Sequence, residues 1–251
     1  MLNKIIENKR KEVEINKEKM PLSSFRNKLN DSARDFRKAL SKDKLNLIAE
    51  FKRKSPSKNI VNDNFDIKKI INIYNKYADA VSVLTDKKFF SGSLEDMKEI
   101  SKLTKLPILR KDFIIDKYQI HEARFYDADA ILLIASILSK DEINDFIEIA
   151  KGYDMDCLVE VHNKGELDNV LNSKSEIIGI NNRNLDTLGI DLDTTLKLMN
   201  QIPADKIIIS ESGINNAEYV RQIRNKVNAI LVGSAFMNSN NIEEEIISLT
   251  K

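Results

Sequence analysis

From Leu45 onward the chain repeats one pattern eight times: a short run of branched aliphatic residues, then a segment long enough for a helix. The runs are NLIAEF (46–51), AVSVLT (80–85), PILRKD (107–112), AILLIA (130–135), CLVEV (157–161), IIGIN (177–181), KIIIS (206–210) and AILVG (229–233). Runs this short and this apolar predict strands buried on both faces, as in a parallel sheet with helical crossovers. Intervals such as DEINDFIEIAKGY and NAEYVRQIRNK place apolar residues at helical spacing. Eight such units in 251 residues predict a (β/α)8 TIM barrel, an α/β fold whose typical length is ~250 residues. A doubly wound open sheet is the competitor, but it more often has roughly five to seven strands and a Gly-rich first turn, which is absent here. Before Leu45, KIIENKRKEVEINKEK reads as a charged helix, followed by PLSSFRNKL and ARDFRKAL. Residues 1–44 are therefore expected to form an N-terminal helical extension. No Pro/Gly/Ser linker follows it, so it should pack on the barrel within a single domain spanning 1–251.

Composition narrows the function classes. With 40 basic and 39 acidic residues the net charge is +1, which asks for neither nucleic acid nor an anionic membrane. The N-terminus has no apolar stretch of signal-peptide length, and no run reaches membrane-spanning length. The single cysteine, Cys157, fits a reducing cytoplasm. One cysteine and two histidines, His121 and His162, are too few for a cysteine/histidine zinc site, while carboxylate sites stay open. No metal or cofactor is expected, neither histidine is assigned a role, and the expected form is a cytoplasmic monomer.

In a barrel of this kind the chemistry sits where strands end and βα loops begin. Those ends carry Glu50 and Lys52, Lys111 and Asp112, Glu160, Asn181, Glu211 and Ser212, and Gly233 and Ser234. Glu50 and Lys52 are two apart, so an extended strand puts both on one face. Strand ends are often polar because they meet water, but inward-facing charges cost several kcal/mol unless paired or solvated. The last two ends read SESG (210–213) and VGSA (232–235). Ser and Gly after strands seven and eight are where barrels often build a phosphate site from backbone N–H groups.

The longer motifs resemble those of the indole-3-glycerol phosphate synthase family. The resemblance runs through IAEFKRKSPSK (48–58), SVLTDKKFFSGSLEDM (82–97), PILRKDFIIDKYQIHEAR (107–124), ADAILLIASIL (128–138), LVEVHN (158–163), IIGINNRNLDTLGIDL (177–192), SESGI (210–214) and LVGSAFM (231–237). It implies a phosphorylated small-molecule substrate, 1-(2-carboxyphenylamino)-1-deoxyribulose 5-phosphate, converted to indole-3-glycerol phosphate, CO2 and water. By the same resemblance Lys111 is the general acid for ring closure, a role expected to need an ammonium whose proton affinity is lowered by burial or nearby cations. Lys52 matches the lysine that pairs with the substrate carboxylate or phosphate and is a candidate acid for the departing hydroxyl. Glu160 matches the base of dehydration, Glu50 the carboxylate beside Lys52, and Glu211 and Asn181 the groups that hold substrate hydroxyls. Ser212, Gly213, Gly233 and Ser234 match the phosphate site, with Ser55 and Arg183 nearby. Pro56, Phe90, Phe113, Leu132 and Leu185 match the lining of the slot for the aromatic ring. Leu132, in mid-strand, is expected first of all as barrel core, and Phe113, just past a strand end, is the stronger ligand contact.

The chain departs from the family at Asn59, where glycine is usual, and at the turns KYADA, YDADA and NKVNA. Asn and Asp tolerate left-handed backbone best after glycine, so Asn59 and Asp127 are expected to substitute for it. Two other readings compete. Phosphoribosylanthranilate isomerases use a cysteine after the first strand and an aspartate after the sixth, where this chain has Lys52 and Asn181. A non-catalytic barrel that binds a partner or RNA through its charged first helix does not account for intact Lys52, Lys111 and Glu160. The length leaves no room for a second barrel, so a fused bifunctional form is not expected.

Overall fold

The predicted strands all form, each within one residue of its expected bounds. The computed structural model describes residues 1–54, 66–185 and 187–250. The strands are β1 (Asn46–Phe51), β2 (Ala80–Leu84), β3 (Ile108–Lys111), β4 (Ala130–Ile134), β5 (Asp156–Val161), β6 (Ile177–Asn181), β7 (Ile207–Glu211) and β8 (Ala229–Val232). They pair in chain order, all parallel, and β1 pairs with β8 to close the barrel.

The helices of the described residues begin with α1 (Leu2–Lys19) and α2 (Phe36–Leu40) in the extension, then α3 (Ile67–Tyr77) after β1. After β2 come α4 (Lys87–Phe90) and α5 (Leu94–Leu103), after β3 α6 (Lys117–Phe125), and after β4 α7 (Lys140–Lys151). The series ends with α8 (Lys164–Leu171), α9 (Asp193–Leu198), α10 (Ala217–Ile223), α11 (Ser234–Met237) and α12 (Ile242–Thr250). None of the described helices is long and apolar enough to cross a membrane.

Strand alternation divides the core in two. One set of side chains, including Val81, Val83, Ile131, Leu133, Val159 and Ile178, points outward and packs with the helices. The other, including Ile48, Leu109, Leu132, Leu158, Ile209 and Leu231, fills the barrel. The inward residues at the start of β2, β4 and β8 are alanines, and Phe36 and Leu40 of α2 join them in the same fully buried cluster. The extension thus stoppers the N-terminal end of the barrel, its short helix started by the Asp35 carboxylate accepting from Lys38 N–H.

Along α1, Ile5 joins the barrel-filling cluster and Val13 packs with Phe25 and Tyr118. Between them Lys9 is 1 % exposed and ion-pairs with Asp86 at 3.0 Å, Asp112 at 2.9 Å and Glu12 at 2.8 Å. Asp112 also accepts from Thr85 and Arg110, and Arg110 pairs with Glu122. The helix whose composition reads as solvated therefore delivers a buried cation behind the β2 and β3 ends. At the opposite, αβ side, Asp127 has φ 66°, the left-handed conformation expected where the family carries glycine.

Candidate active site

At the C-terminal ends of the strands the inward face changes from aliphatic to charged. Glu50 on β1, Lys111 on β3, Glu160 on β5, Asn181 on β6 and Lys52 just past β1 line one cavity of about 320 Å³. Glu211, the last residue of β7, lies fully buried in the floor beside it. Two glycines make this arrangement possible. A Cβ on Gly179 would overlap Glu211 Oε1, and one on Gly233 would come within 2.8 Å of Glu50 Cδ. Gly233, expected only at the phosphate, thus also gives Glu50 its place.

The charges pair across the barrel. Lys52 Nζ lies 2.8 Å from Glu50 Oε1, and Lys111 Nζ lies 2.5 Å from Glu211 Oε2 and 3.7 Å from Glu160 Oε2. Burial opposes the Lys111 charge, but Glu211, Glu160 and Glu50 outweigh it and raise its proton affinity. This corrects the expectation of a lowered lysine: three carboxylates, and no dominant cation, surround it. Burial likewise opposes the Glu160 anion, yet contact with His162, the Lys111 charge and the Asn181 amide bring its pKa down to about 2. For Glu50 burial is outweighed by Lys52 and Lys111, so its pKa is lowered. Glu211 goes the other way. Burial outweighs Lys111 and, with repulsion from Glu160 and Glu50, raises its pKa to about 7. Glu50 has Lys52 and Glu160 has His162 beside it, whereas Glu211 shares its one cation, Lys111, with Glu160, so the most enclosed carboxylate is the one whose proton affinity rises. Consistently, Glu211 Oε1 has no hydrogen-bond partner among the described residues.

One wall of the cavity is apolar: Phe90, Phe113, Leu132 and Leu185, joined by Leu84 and Ile134. The Phe90 and Phe113 rings are 6.2 Å apart at a 37° tilt. Leu132 is both barrel core and cavity wall, so its two expected roles coincide. The other wall holds Arg183, Ser212, Gly213, Gly233 and Ser234. Ser212 (φ 67°) and Gly213 (φ 76°) both take left-handed backbone, turning the chain sharply off β7. Behind that turn Asn182 donates to Ser212 O at 3.1 Å and accepts from Thr195 N–H and Oγ1, and Thr195 Oγ1 meets Ser210 Oγ at 2.8 Å. This buried network holds the turn open toward the cavity.

A Cβ at Gly213 would overlap Ile190 and approach Leu192 Cδ2 at 3.2 Å, besides straining the backbone. Gly213→Val is therefore expected to raise KM at least about tenfold while circular dichroism shows an intact fold. An unchanged KM places the phosphate elsewhere.

Every expected site residue but three lines this cavity: Glu211 is beneath it, and Ser55 and Pro56, with Asn59, lie outside the described residues. Asp112 contributes to the lining, but its carboxylate is taken up by Lys9, Arg110, Thr85 and Phe113 N–H. Residues missed by the sequence include Ile190 in the wall, Asn182 behind the turn, and His162 against Glu160. For His162 the signal was present: it follows Glu160 by two residues, the spacing that returns side chains to one face of an extended segment.

Comparison with known proteins agrees with this geometry. The family model described as indole-3-glycerol phosphate synthase matches residues 2–249. An indole-3-glycerol phosphate synthase of Endomicrobium trichonymphae is 47% identical over 85% of this chain and 84% of its own length. That of Caldanaerobacter subterraneus subsp. tengcongensis is 45% identical over 94% of this chain and 93% of its own. The tryptophan biosynthesis protein TrpCF of Buchnera aphidicola subsp. Acyrthosiphon pisum is 44% identical over 99% of this chain, which spans 55% of that longer protein. Among solved structures, 3-hexulose-6-phosphate synthase from Salmonella typhimurium shares the fold, with a TM-score of 0.64 at 13% identity over 82% of this chain and 97% of that one. Matched along nearly its whole length, and carrying two lysine–glutamate pairs at the mouth of a closed barrel, the chain belongs to the indole-3-glycerol phosphate synthase family.

Proposed function

We propose that the two lysine–glutamate pairs divide the steps of indole-ring formation between them. The reaction closes 1-(2-carboxyphenylamino)-1-deoxyribulose 5-phosphate to indole-3-glycerol phosphate, releasing CO2 and water. In this reading the aromatic ring lies against Phe90, Phe113, Leu132 and Leu185, with Pro56 assigned beside them. The phosphate lies on the Ser212–Gly213 turn and at Gly233–Ser234 where α11 begins, with Arg183 and Ser55 nearby. The ring carbon bearing the carboxylate attacks the C2′ carbonyl, and Lys111 protonates the oxygen. A lysine held charged by three carboxylates is suited to this step, because the developing alkoxide is far more basic than any amine. Loss of CO2 follows. Lys52 then gives a proton to the departing hydroxyl, and Glu160, ionised down to about pH 2, takes one from the substrate. Glu50 orients Lys52, while Asn181 and Glu211 hold substrate hydroxyls.

The observation that carries this reading is the convergence of Lys111, Glu160 and Lys52 between an apolar wall and a glycine turn. Its test is the appearance of indole fluorescence when purified protein meets the substrate, against a chain that contains no tryptophan. No product from folded protein at micromolar concentration sinks it. Glu160→Gln is expected to lower kcat by about 10²–10⁴-fold while a phosphate-bearing analogue still binds. Near-normal turnover removes Glu160 from the mechanism.

We further read the chain as a cytoplasmic monomer, which a light-scattering mass of one chain would support and a multiple of it would overturn. Its one cysteine, Cys157, is buried and free.

A further inference from the structure

β5 ends at Val161, and the next residue, His162, brings its side chain back to the side that carries Glu160. The imidazole is 10 % exposed and sits between two carboxylates. Its Nε2 is 3.2 Å from Glu160 Oε1, an ion-pair distance without hydrogen-bond geometry, and its Nδ1 is hydrogen-bonded to Glu166 Oε2 at 3.0 Å. A neutral imidazole has one N–H and would turn a bare nitrogen lone pair toward one of the two carboxylates; two flanking anions therefore favour the doubly protonated ring. Burial opposes that charge, but Glu160 and Glu166 outweigh it and hold the pKa up at about 10.

Glu166 is itself fixed. Its Oε2 also accepts the His162 backbone N–H at 2.8 Å, and its Oε1 accepts from the Asn163 side chain at 2.7 Å. Its own N–H returns to Asn163 Oδ1 at 3.0 Å, so the carboxylate is anchored at the positive end of α8. The two Glu160 oxygens are thereby given different partners: Oε1 faces His162, and Oε2 faces Lys111.

We propose that His162, clamped by Glu166, is a positioning residue that holds Glu160 ionised with Oε2 presented to Lys111 and the substrate. The proposal rests on Glu160 acting as the base. The charged groups against the ring are Glu160 from β5 and Glu166 from α8, while Lys111 on β3, Glu50 on β1 and Glu211 on β7 act on the Glu160 carboxylate. With the imidazolium removed, burial gains on the remaining Lys111 attraction, and a carboxylate that takes up a proton no longer accepts one from substrate.

The test uses the whole chain, whose two histidines keep imidazole ¹⁵N–¹H spectra simple. At pH 7.5 His162 is expected to be doubly protonated and His121, lowered by burial and by Arg26, neutral. His162→Gln is expected to lower kcat about tenfold at pH 6.5 with KM within about twofold. The deficit should narrow to about threefold by pH 9, as rising pH re-ionises Glu160. Glu166→Gln should show the same pH-dependent deficit in smaller measure. A neutral His162 in the wild-type enzyme at pH 7.5 overturns the proposal, as does a deficit of equal size at every pH. If Glu160→Gln instead turns over normally, the base assignment is what fails, and the wild-type spectra still report whether the clamp exists.

Discussion

Lys111→Ala is expected to lower kcat by about a thousandfold, within the 10²–10⁴-fold range for loss of a positioned general acid. Binding of a phosphate-bearing substrate analogue, followed by titration calorimetry, should survive, because the turns proposed to hold the phosphate follow other strands. The substitution also strands buried carboxylates: Glu211 loses a partner at 2.5 Å and Glu160 one at 3.7 Å. Breaking one side of a buried pair typically costs about 3–5 kcal/mol, which can be reduced by neutralising the remaining partner. Glu211, already raised to about 7, is the group placed to do so. A carboxylate whose folded pKa lies above its unfolded value binds more protons when folded, so its contribution to stability is present at low pH and lost as pH rises through the folded value. The Lys111→Ala protein should therefore be more stable in urea at pH 6 than at pH 8. A Lys111→Met/Glu211→Gln double variant should recover stability at pH 8 without recovering turnover. Near-normal turnover in either variant would falsify the role given to Lys111.

Lys9→Met should be the most destabilising change outside the mouth, by about 3–5 kcal/mol, the cost of leaving buried charges uncompensated. Asp86 and Asp112 are at most 2 % exposed, and Lys9 brings its charge to both from a helix otherwise rich in solvated residues. Burial works against the Asp112 anion, and Lys9 with Arg110 is what holds its pKa down. Against a total stability of about 5–15 kcal/mol for a typical domain, the loss is large, and it should appear as a lower urea midpoint in circular dichroism. In a double-mutant cycle, Lys9→Met with Asp86→Asn should show coupling of about 1–3 kcal/mol. A loss under about 1 kcal/mol for Lys9→Met alone would mean that solvent reaches the cluster. Asp112 follows Lys111 directly, so the variant should also lose some turnover through a loosened β3 end.

The paired groups of the mouth differ in how much of them could be read in advance. Glu50 and Lys52 are separated by two residues, and a strand's period of two puts them on one face wherever the strand lies. Lys111 and Glu160 were legible as charges at the ends of apolar runs, and the roles proposed for them came through the family resemblance. The state of Lys111 was not legible: it depends on Glu211, 100 residues away, and the expected direction of its shift was reversed. In the sequence Gly233 reads as a phosphate residue alone; its neighbour in space, Glu50 of β1, adds a second reason why a side chain there is excluded. Lys9 resembled any exposed lysine of a charged helix, because nothing within α1 indicates which face meets Asp86 and Asp112.

Local periodicity determined the strands, the helices between them and the parallel order, since each of these depends on residues a few positions apart. Barrel closure decided which charges meet, which glycines must lack a side chain and which carboxylate has its proton affinity raised. Those outcomes depend on electrostatics among buried groups, where the residues that set a proton affinity come from strands far apart in the chain.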